Sequence, residues 1–452
     1  MQLPCRKRKG RERLRLANPM TARGLVIAAP QSNSGKTLVA LGLARALALR
    51  GVAVRPAKSG PDYIDPQFLA RAARHDCLTL DAWAMSRTRL RALARAHAGS
   101  DGFFVVEGVM GLFDGASSGI GSTADLAVGL GLPVVLVVDC AHLAQSIAAM
   151  AEGFIRFRSD LAFAGIVLNR VASDRHEAML RAALDARGIA CLGAIRNDPA
   201  LCVPDRHLGL VQPEEIAGID PLIDRAAESA AAGIDIDRLW SHARALGGAE
   251  GSRRLPPLGQ RIAVARDRAF GFVYRHWLTD WHLAGTELSF FSPLADEAPD
   301  RQADAVFLPG GYPELHGAQL AAAAHFKAGL VAARDRGALI YGECGGYMVL
   351  GQSLTDAEGI THEMAGLLPH HSRIDRPHRT LGYRLLRHQG PLPFARALSG
   401  HEFHYSTSSG PAGQQLFVAA DAAGNRLGPM GSVIGRVCGS YAHVIDTHEE
   451  AP

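Results

Sequence analysis

A chain of 452 residues with 48% hydrophobic and 20% charged side chains has an ordinary globular composition, ample for two or more domains with large cores. Seven scattered cysteines without a Cys-x-x-Cys pair argue against a disulfide framework or a zinc site and for a reducing cytoplasm. A net charge of +4 is too small at this length to point to nucleic acid, and the sequence has neither a secretory h-region nor an apolar run long enough to span a bilayer.

Much of the positive charge lies in Cys5-Arg-Lys-Arg-Lys-Gly-Arg-Glu-Arg-Leu-Arg15. Such a run can bind nucleic acid or anionic lipid, but a strand follows directly after Met20, so residues 1–20 are expected to form a disordered extension. Gly24–Ala29 reads as a buried strand and Leu38–Leu49 as a helix, with Pro30-Gln-Ser-Asn-Ser34-Gly35-Lys36-Thr37 between them. Strand, loop, Gly-Lys-Thr and helix is the phosphate-binding arrangement. Ser34 and Gly35 belong to the cradle, Lys36 neutralises the outer phosphates, and Thr37 can ligate Mg²⁺. Pro30 stands where the usual pattern has its first glycine, so the motif is a variant.

The next strand, Val52–Pro56, leads into Lys58-Ser-Gly-Pro61-Asp62-Tyr63-Ile64-Asp65-Pro66. Asp62, Tyr63 and Asp65 lie at a strand's C-terminal end, where α/β sheets bind ligands; the same residues equally suit a tight turn. Phe103–Glu107 is a third strand, and an acid at its tip can hold Mg²⁺ directly or through water. Pro133–Asp139 and Ala164–Arg170 are two more strands. Asn169 suits contact with an adenine edge or a plain turn. Five strands alternating with helices give a doubly wound parallel sheet, and Leu192–Arg196 followed by Val203–Val211 continues that domain. An Ala-rich helix is expected through residues 221–246. These readings place an ATP-binding domain at 21–246, a Gly/Pro-rich linker at 247–260 and a second α/β domain at 261–448.

In the second domain Asp267–Trp281 carries Phe270, Phe272, Tyr274, Trp277 and Trp281, a spacing that suits core or interface better than a cofactor box. Ala305–Pro309 reads as a strand ending in a Gly310-Gly311 turn. Gly337–Tyr341 reads as a strand running into Gly342-Glu343-Cys344-Gly345-Gly346-Tyr347 and a helix start. A cysteine on a glycine-flanked turn between strand and helix has the geometry of a nucleophile elbow. A helix N-terminus behind it would favour the thiolate, and the Gly345 and Gly311 amides would face a developing oxyanion. A buried structural cysteine also fits the cysteine taken alone. His443, after the apolar segment Val437–Ala442, is the candidate base, one of 19 histidines.

Leu308-Pro-Gly-Gly-Tyr-Pro-Glu314, Gly342-Glu-Cys-Gly-Gly-Tyr-Met348, His401-Glu-Phe-His-Tyr-Ser406 and Ser440-Tyr-Ala-His443 together resemble the class I glutamine amidotransferase domain of the corrin a,c-diamide synthases, which act on hydrogenobyrinic or cobyrinic acid in cobalamin synthesis. The resemblance spans nearly all of residues 22–446. It implies Cys344 as the nucleophile that releases ammonia from glutamine and His443 as its base. It also implies that Asp62, Tyr63, Asp65, Glu107 and Asp114 serve the ATP, Mg²⁺ and corrin-activation site. The expected reaction is ATP-dependent amidation of the a and c side-chain carboxylates through an acyl phosphate, in a cytoplasmic homodimer. Leu80–Met85 looks more like the cobalt-free, hydrogenobyrinic branch. Class I amidotransferases carry Glu two residues after the histidine; here that position is Ile445, so a dyad or a substitute orienter is implied. Two alternatives stay open: a cobyric acid synthase-like enzyme amidating other side chains, and a partition-type ATPase switch carrying an inactive amidotransferase scaffold.

Overall fold

The computed structural model describes residues 22–201, 205–206, 209–210, 212–248, 251–388, 390–411 and 413–448. The basic segment 1–20 and most of Val203–Val211 lie outside the described residues. The first half of the chain builds one sheet of seven parallel strands in the order Leu78–Leu80, Val54–Ser59, Phe103–Glu107, Arg23–Ala28, Val134–Asp139, Phe163–Val171 and Cys191–Arg196, with Arg244–Ala245 antiparallel beside Arg23 and Gly24. Leu25, Val26, Ile27 and Ala28 are all buried in succession, as expected of a central parallel strand covered on both faces. Helices Lys36–Leu49, Asp65–Ala73 and Ile219–Gly233 cover one face; Arg87–Ala98 and Thr123–Leu130 cover the other.

Two expectations are corrected. Among the described residues the sheet has a further parallel strand beyond those expected, Leu78-Thr-Leu80, long enough to pair with Ala57–Ser59 yet too short to show a period. The 221–246 helix is two helices, Ile219–Gly233 and Ile236–His242, followed by the two-residue strand Arg244–Ala245 against the central strand. The break comes where Asp235 accepts the Arg238 N–H (2.9 Å) and caps a new helix, and where Ile234 bridges to Gly193. Gly233 has to be glycine here, since a Cβ would lie 2.3 Å from the Ala194 carbonyl oxygen.

The second half has a sheet in the order Glu287–Phe291, Arg261–Ala265, Ala305–Leu308, Leu339–Glu343, Val437–Ser440 and Ser432–Ile434, parallel except for the last strand. A five-stranded antiparallel sheet packs beside it and contains Thr380–His388, Ala397–His404 and His443–Thr447. The aromatic run divides: Asp267–Val273 is mostly loop, and the helix is Arg275–Leu283. Trp277 and Trp281 are core residues against Phe307. One apolar cluster runs without interruption from Leu80 and Leu90 of the first half to Trp277 and Phe307 of the second. Arg89 is buried between the halves, paired with Asp280 and Asp446. Among the described residues no helix is long and apolar enough to cross a membrane.

Candidate active site

Cys344 sits where strand Leu339–Glu343 turns into the short helix Gly345–Leu350, with φ +46° and ψ −106°. A non-glycine residue at such angles is strained and must be held by its surroundings. Here the Cys344 N–H donates to the Ser440 carbonyl (2.8 Å), and the Cys344 carbonyl accepts from Met348 (3.0 Å). Gly346 lets this turn rest on the preceding strand, since a Cβ there would lie 1.9 Å from the Leu308 carbonyl oxygen. A Cβ on Gly345 would come 3.1 Å from the Gly311 amide nitrogen, so the two oxyanion candidates lie close together.

His443 opens the last strand of the antiparallel sheet, opposite His401 in register. Gly310 lies between the two catalytic candidates: a Cβ on it would meet His443 Cε1 at 2.4 Å and Cys344 Cβ at 3.3 Å. Cys344 and His443 thus come together from two sheets across a glycine. The expected thiolate does not form in the resting state, because burial pushes the Cys344 thiol well above its ordinary range and Glu314 adds to this. The Gly345 N–H works in the opposite direction but does not prevail, and a six-residue helix has little dipole to offer. Burial also depresses His443 to about 3, with His401 and His404 adding to it, so the resting imidazole is neutral.

The nucleotide-site candidates gather at the C-terminal ends of the first sheet. Gly35 has φ +83°, and a Cβ on it would strike Asn169 Nδ2 at 2.2 Å. Asn169 donates to the Ser34 carbonyl (2.9 Å), so it buttresses the loop as well as lining a small cavity with Arg170 and Asn197. Lys36 is buried, and burial together with Lys58 lowers its pKa; a bound phosphate would work in the opposite direction. Thr37 Oγ1 donates to Glu107 Oε1 (2.5 Å). Glu107 Oε2 is buried without a hydrogen-bond partner, which leaves a hard oxygen beside Thr37 for a cation such as Mg²⁺. Among the described residues no group of three or more His, Cys, Asp or Glu could hold a metal, so most of the oxygens around Mg²⁺ here would come from phosphate and water.

Lys58, a residue without a motif of its own, is the centre of this cluster. Its ammonium is buried and pairs with Glu107 Oε1 (2.9 Å) and Asp65 Oδ2 (2.5 Å). Burial works against its charge, but Glu107 and Asp65 outweigh it and hold the ammonium above its ordinary range. A lone lysine closing an apolar strand just before an acidic loop was the available signal. Asp62 accepts the Ile64 and Asp65 N–H groups (2.8 and 3.1 Å) and is pushed up to about 7 by burial and by Asp65. Asp114 is exposed and accepts the Gly111 N–H (2.9 Å), a turn contact away from the Lys58 cluster's bonds.

Tyr63 joins the two centres. Its ring stacks on Tyr274 and Phe272 of the second half and lies 5.0 Å from the His443 ring, centroid to centroid. A cavity of about 610 Å³ is lined by Asp62, Tyr63, Met110 and Ser117 from the first half and by Leu381, Arg384, His401 and His443 from the second. A second cavity of about 650 Å³ lies on the other side of Asp62 and Tyr63, with Arg266, Arg268 and Arg275 on its wall. Non-glycine residues with positive φ recur at these places: Asn33 in the phosphate loop, Met110 at the cavity and Cys344.

Comparison with known proteins agrees with both halves. Residues 25–210 match the CobQ/CobB/MinD/ParA nucleotide binding domain, and residues 261–451 match the CobB/CobQ-like glutamine amidotransferase domain. Proteins named hydrogenobyrinate a,c-diamide synthase from Brucella abortus and Rhizobium meliloti are 52% and 50% identical over 434 and 427 residues, covering 95% and 94% of this chain and 100% of each relative. The Rhodobacter capsulatus protein of that name is 50% identical over 432 residues, covering 94% of this chain and 98% of its own. With a nucleotide loop, a Cys–His pair on an amidotransferase sheet and half-identity across nearly its whole length, this chain belongs to the hydrogenobyrinate a,c-diamide synthase family, the ATP-dependent carbon–nitrogen ligases that take nitrogen from glutamine.

Proposed function

We propose that the chain converts the a and c side-chain carboxylates of hydrogenobyrinic acid to primary amides in cobalamin synthesis, using ATP and glutamine. The observation that carries this reading is the wall shared by the two centres: Tyr63 and His443 line one cavity at van der Waals range. Cys344 Sγ attacks the glutamine carboxamide while His443 accepts the thiol proton and passes it to the departing nitrogen. The Gly311 and Gly345 amides stabilise the oxyanion, and water releases glutamate from the thioester. In the first half a substrate carboxylate oxygen attacks the γ-phosphorus of ATP and ADP leaves. Ammonia then attacks the acyl phosphate carbonyl, and phosphate departs with the oxygen. Mg²⁺, where bound, spreads the phosphate charge; Thr37 and Glu107 are the residues to hold it. Ser34, Gly35 and Lys36 cradle the phosphates, with Asn169 behind them. Lys58 neutralises developing charge beside Asp65, while Asp62 and Tyr63 face the substrate; Asp114 shapes the loop.

The domain division at 21–246, 247–260 and 261–448 rests on the two sheets and the Gly/Pro-rich stretch between them. A homodimer in the cytoplasm rests on the family resemblance. The assembled Cys344, Gly311 and His443 weigh against an inactive scaffold. The test is mass spectrometry of corrinoid products with ATP, Mg²⁺ and either glutamine or ammonium chloride. Cys344→Ser should lose glutamine hydrolysis and glutamine-dependent amidation but keep the ammonium-supported reaction, and Lys36→Ala should keep glutamine hydrolysis while losing amidation with either nitrogen source. A Cys344→Ser protein inert with ammonium as well would reject separate half-sites.

A further inference from the structure

His443 needs a group that fixes its ring and tautomer, and residue 445, where a class I amidotransferase has Glu, is Ile445. Its side chain is buried apolar surface, and its carbonyl accepts from His276 Nε2 (2.8 Å) and Trp277 Nε1 (3.2 Å). His443 Nδ1 is itself buried and has no hydrogen-bond partner. An unpaired polar atom in so dry a place calls for an explanation.

The geometry points to Glu343, the residue immediately before the nucleophile, as the carboxylate that orients His443. Glu343 is 2% exposed. Its Oε1 accepts from the Val444 N–H (3.0 Å) and the Tyr341 hydroxyl (2.9 Å). Those two bonds fix the carboxyl plane and leave Oε2 facing His443 Nδ1 at 3.8 Å. Closing that gap to a hydrogen bond takes a shift of under about 1 Å, and such bonds are commonly long in unliganded sites and tighten with substrate. With Nδ1–H donating to Oε2, the other ring nitrogen is free to accept the Cys344 thiol proton, and the imidazolium formed has a negative partner. The carboxylate thus reaches the ring from the nucleophile's strand instead of the base's. The backbone makes this possible: Glu343 pairs with Ser440 in the parallel sheet, three residues before His443. Burial raises Glu343 to about 8, and a positive charge arriving on the ring it faces works in the opposite direction, favouring the carboxylate when the imidazolium forms. Glu343 acts through His443 and is a positioning residue.

The inference rests on the glutaminase reading of Cys344 and His443, and the test separates the two. Glu343→Gln in the full-length chain keeps the shape and an oxygen for Val444 and Tyr341, but presents an N–H₂ to Nδ1. That forces the opposite tautomer, with the proton on the nitrogen meant to receive one from sulfur. Glutamate release should fall at least about 100-fold in kcat with KM within about threefold, by analogy with tautomer-disrupting changes in other triads. Ammonium-supported amidation should stay within about twofold of the unsubstituted enzyme, and Glu343→Asp should recover part of the lost kcat. A fall in glutaminase kcat of less than about tenfold overturns the assignment. So does a parallel loss of both reactions, which marks a merely structural role. Absence of glutaminase in the unsubstituted chain would instead remove the underlying reading.

Discussion

The Tyr63 ring, carried on the loop after the Val54–Ser59 strand, lies 5.0 Å from the His443 imidazole on the last strand of the chain. That contact sets the candidate base against the loop that carries Asp62, and on the function proposed above ammonia released at Cys344 would pass Tyr63 on its way to the substrate. Tyr63→Ala should open this wall to water and loosen the coupling. The ratio of glutamate released to amide formed is expected to rise at least about threefold. An unchanged ratio would take Tyr63 out of the route.

Lys58 holds two carboxylates in a site where Glu107 is 0% exposed. Lys58→Met removes their paired cation, leaving Lys36 as the nearby positive charge, and on the proposed mechanism removes a cation beside the reacting carboxylate. Amidation with either nitrogen source should fall by about 100-fold or more, while glutamine hydrolysis persists. A variant amidating at near-normal rate would reduce Lys58 to a structural ion pair.

Arg89 joins the two halves through Asp280 and Asp446, all three nearly fully buried. Asp446 lies on the His443 strand, so the pair also fixes where that strand sits. Arg89→Ala leaves buried Asp446 without its cation and Asp280 with only the more distant Arg254 (3.6 Å), and should cost about 3–5 kcal/mol. Differential scanning calorimetry should show a lower Tm and weaker cooperativity between the halves. A transition within about 1 °C of the unsubstituted protein would contradict this.

His276 is buried, donates to the Ile445 carbonyl and is depressed to about 4, chiefly by burial and then by Arg89. Unfolded histidine binds its proton near pH 6.5, so between 6.5 and 4 the unfolded chain holds more protons at this residue. The contribution of His276 is therefore intact above pH 6.5 and is lost as pH falls toward 4, at up to about 1.4 kcal/mol per pH unit. His276→Gln should flatten the acid limb of the Tm–pH curve by that much. Parallel curves for the two proteins would refute the assignment.

Much of this site could be read along the chain. Cys344, Lys36 and Thr37 announce themselves because turn, glycines and helix start are consecutive residues, and strand–loop–helix geometry is local. His443 could be singled out from 19 histidines only by its apolar strand and the family motif. The resting thiol could not be read at all, since it depends on burial by both sheets and on Glu314, thirty residues away.

The order of residues determined two α/β halves, a phosphate loop and a cysteine elbow, because each is a short-range consequence of backbone permissiveness and apolar runs. Folding in three dimensions decided the rest. It set Lys58 between Glu107 and Asp65, brought Tyr63 to His443, and turned Glu343 toward a ring 100 residues downstream. Those relationships join different strands or different sheets, and no spacing in the sequence encodes the distance across a closed core.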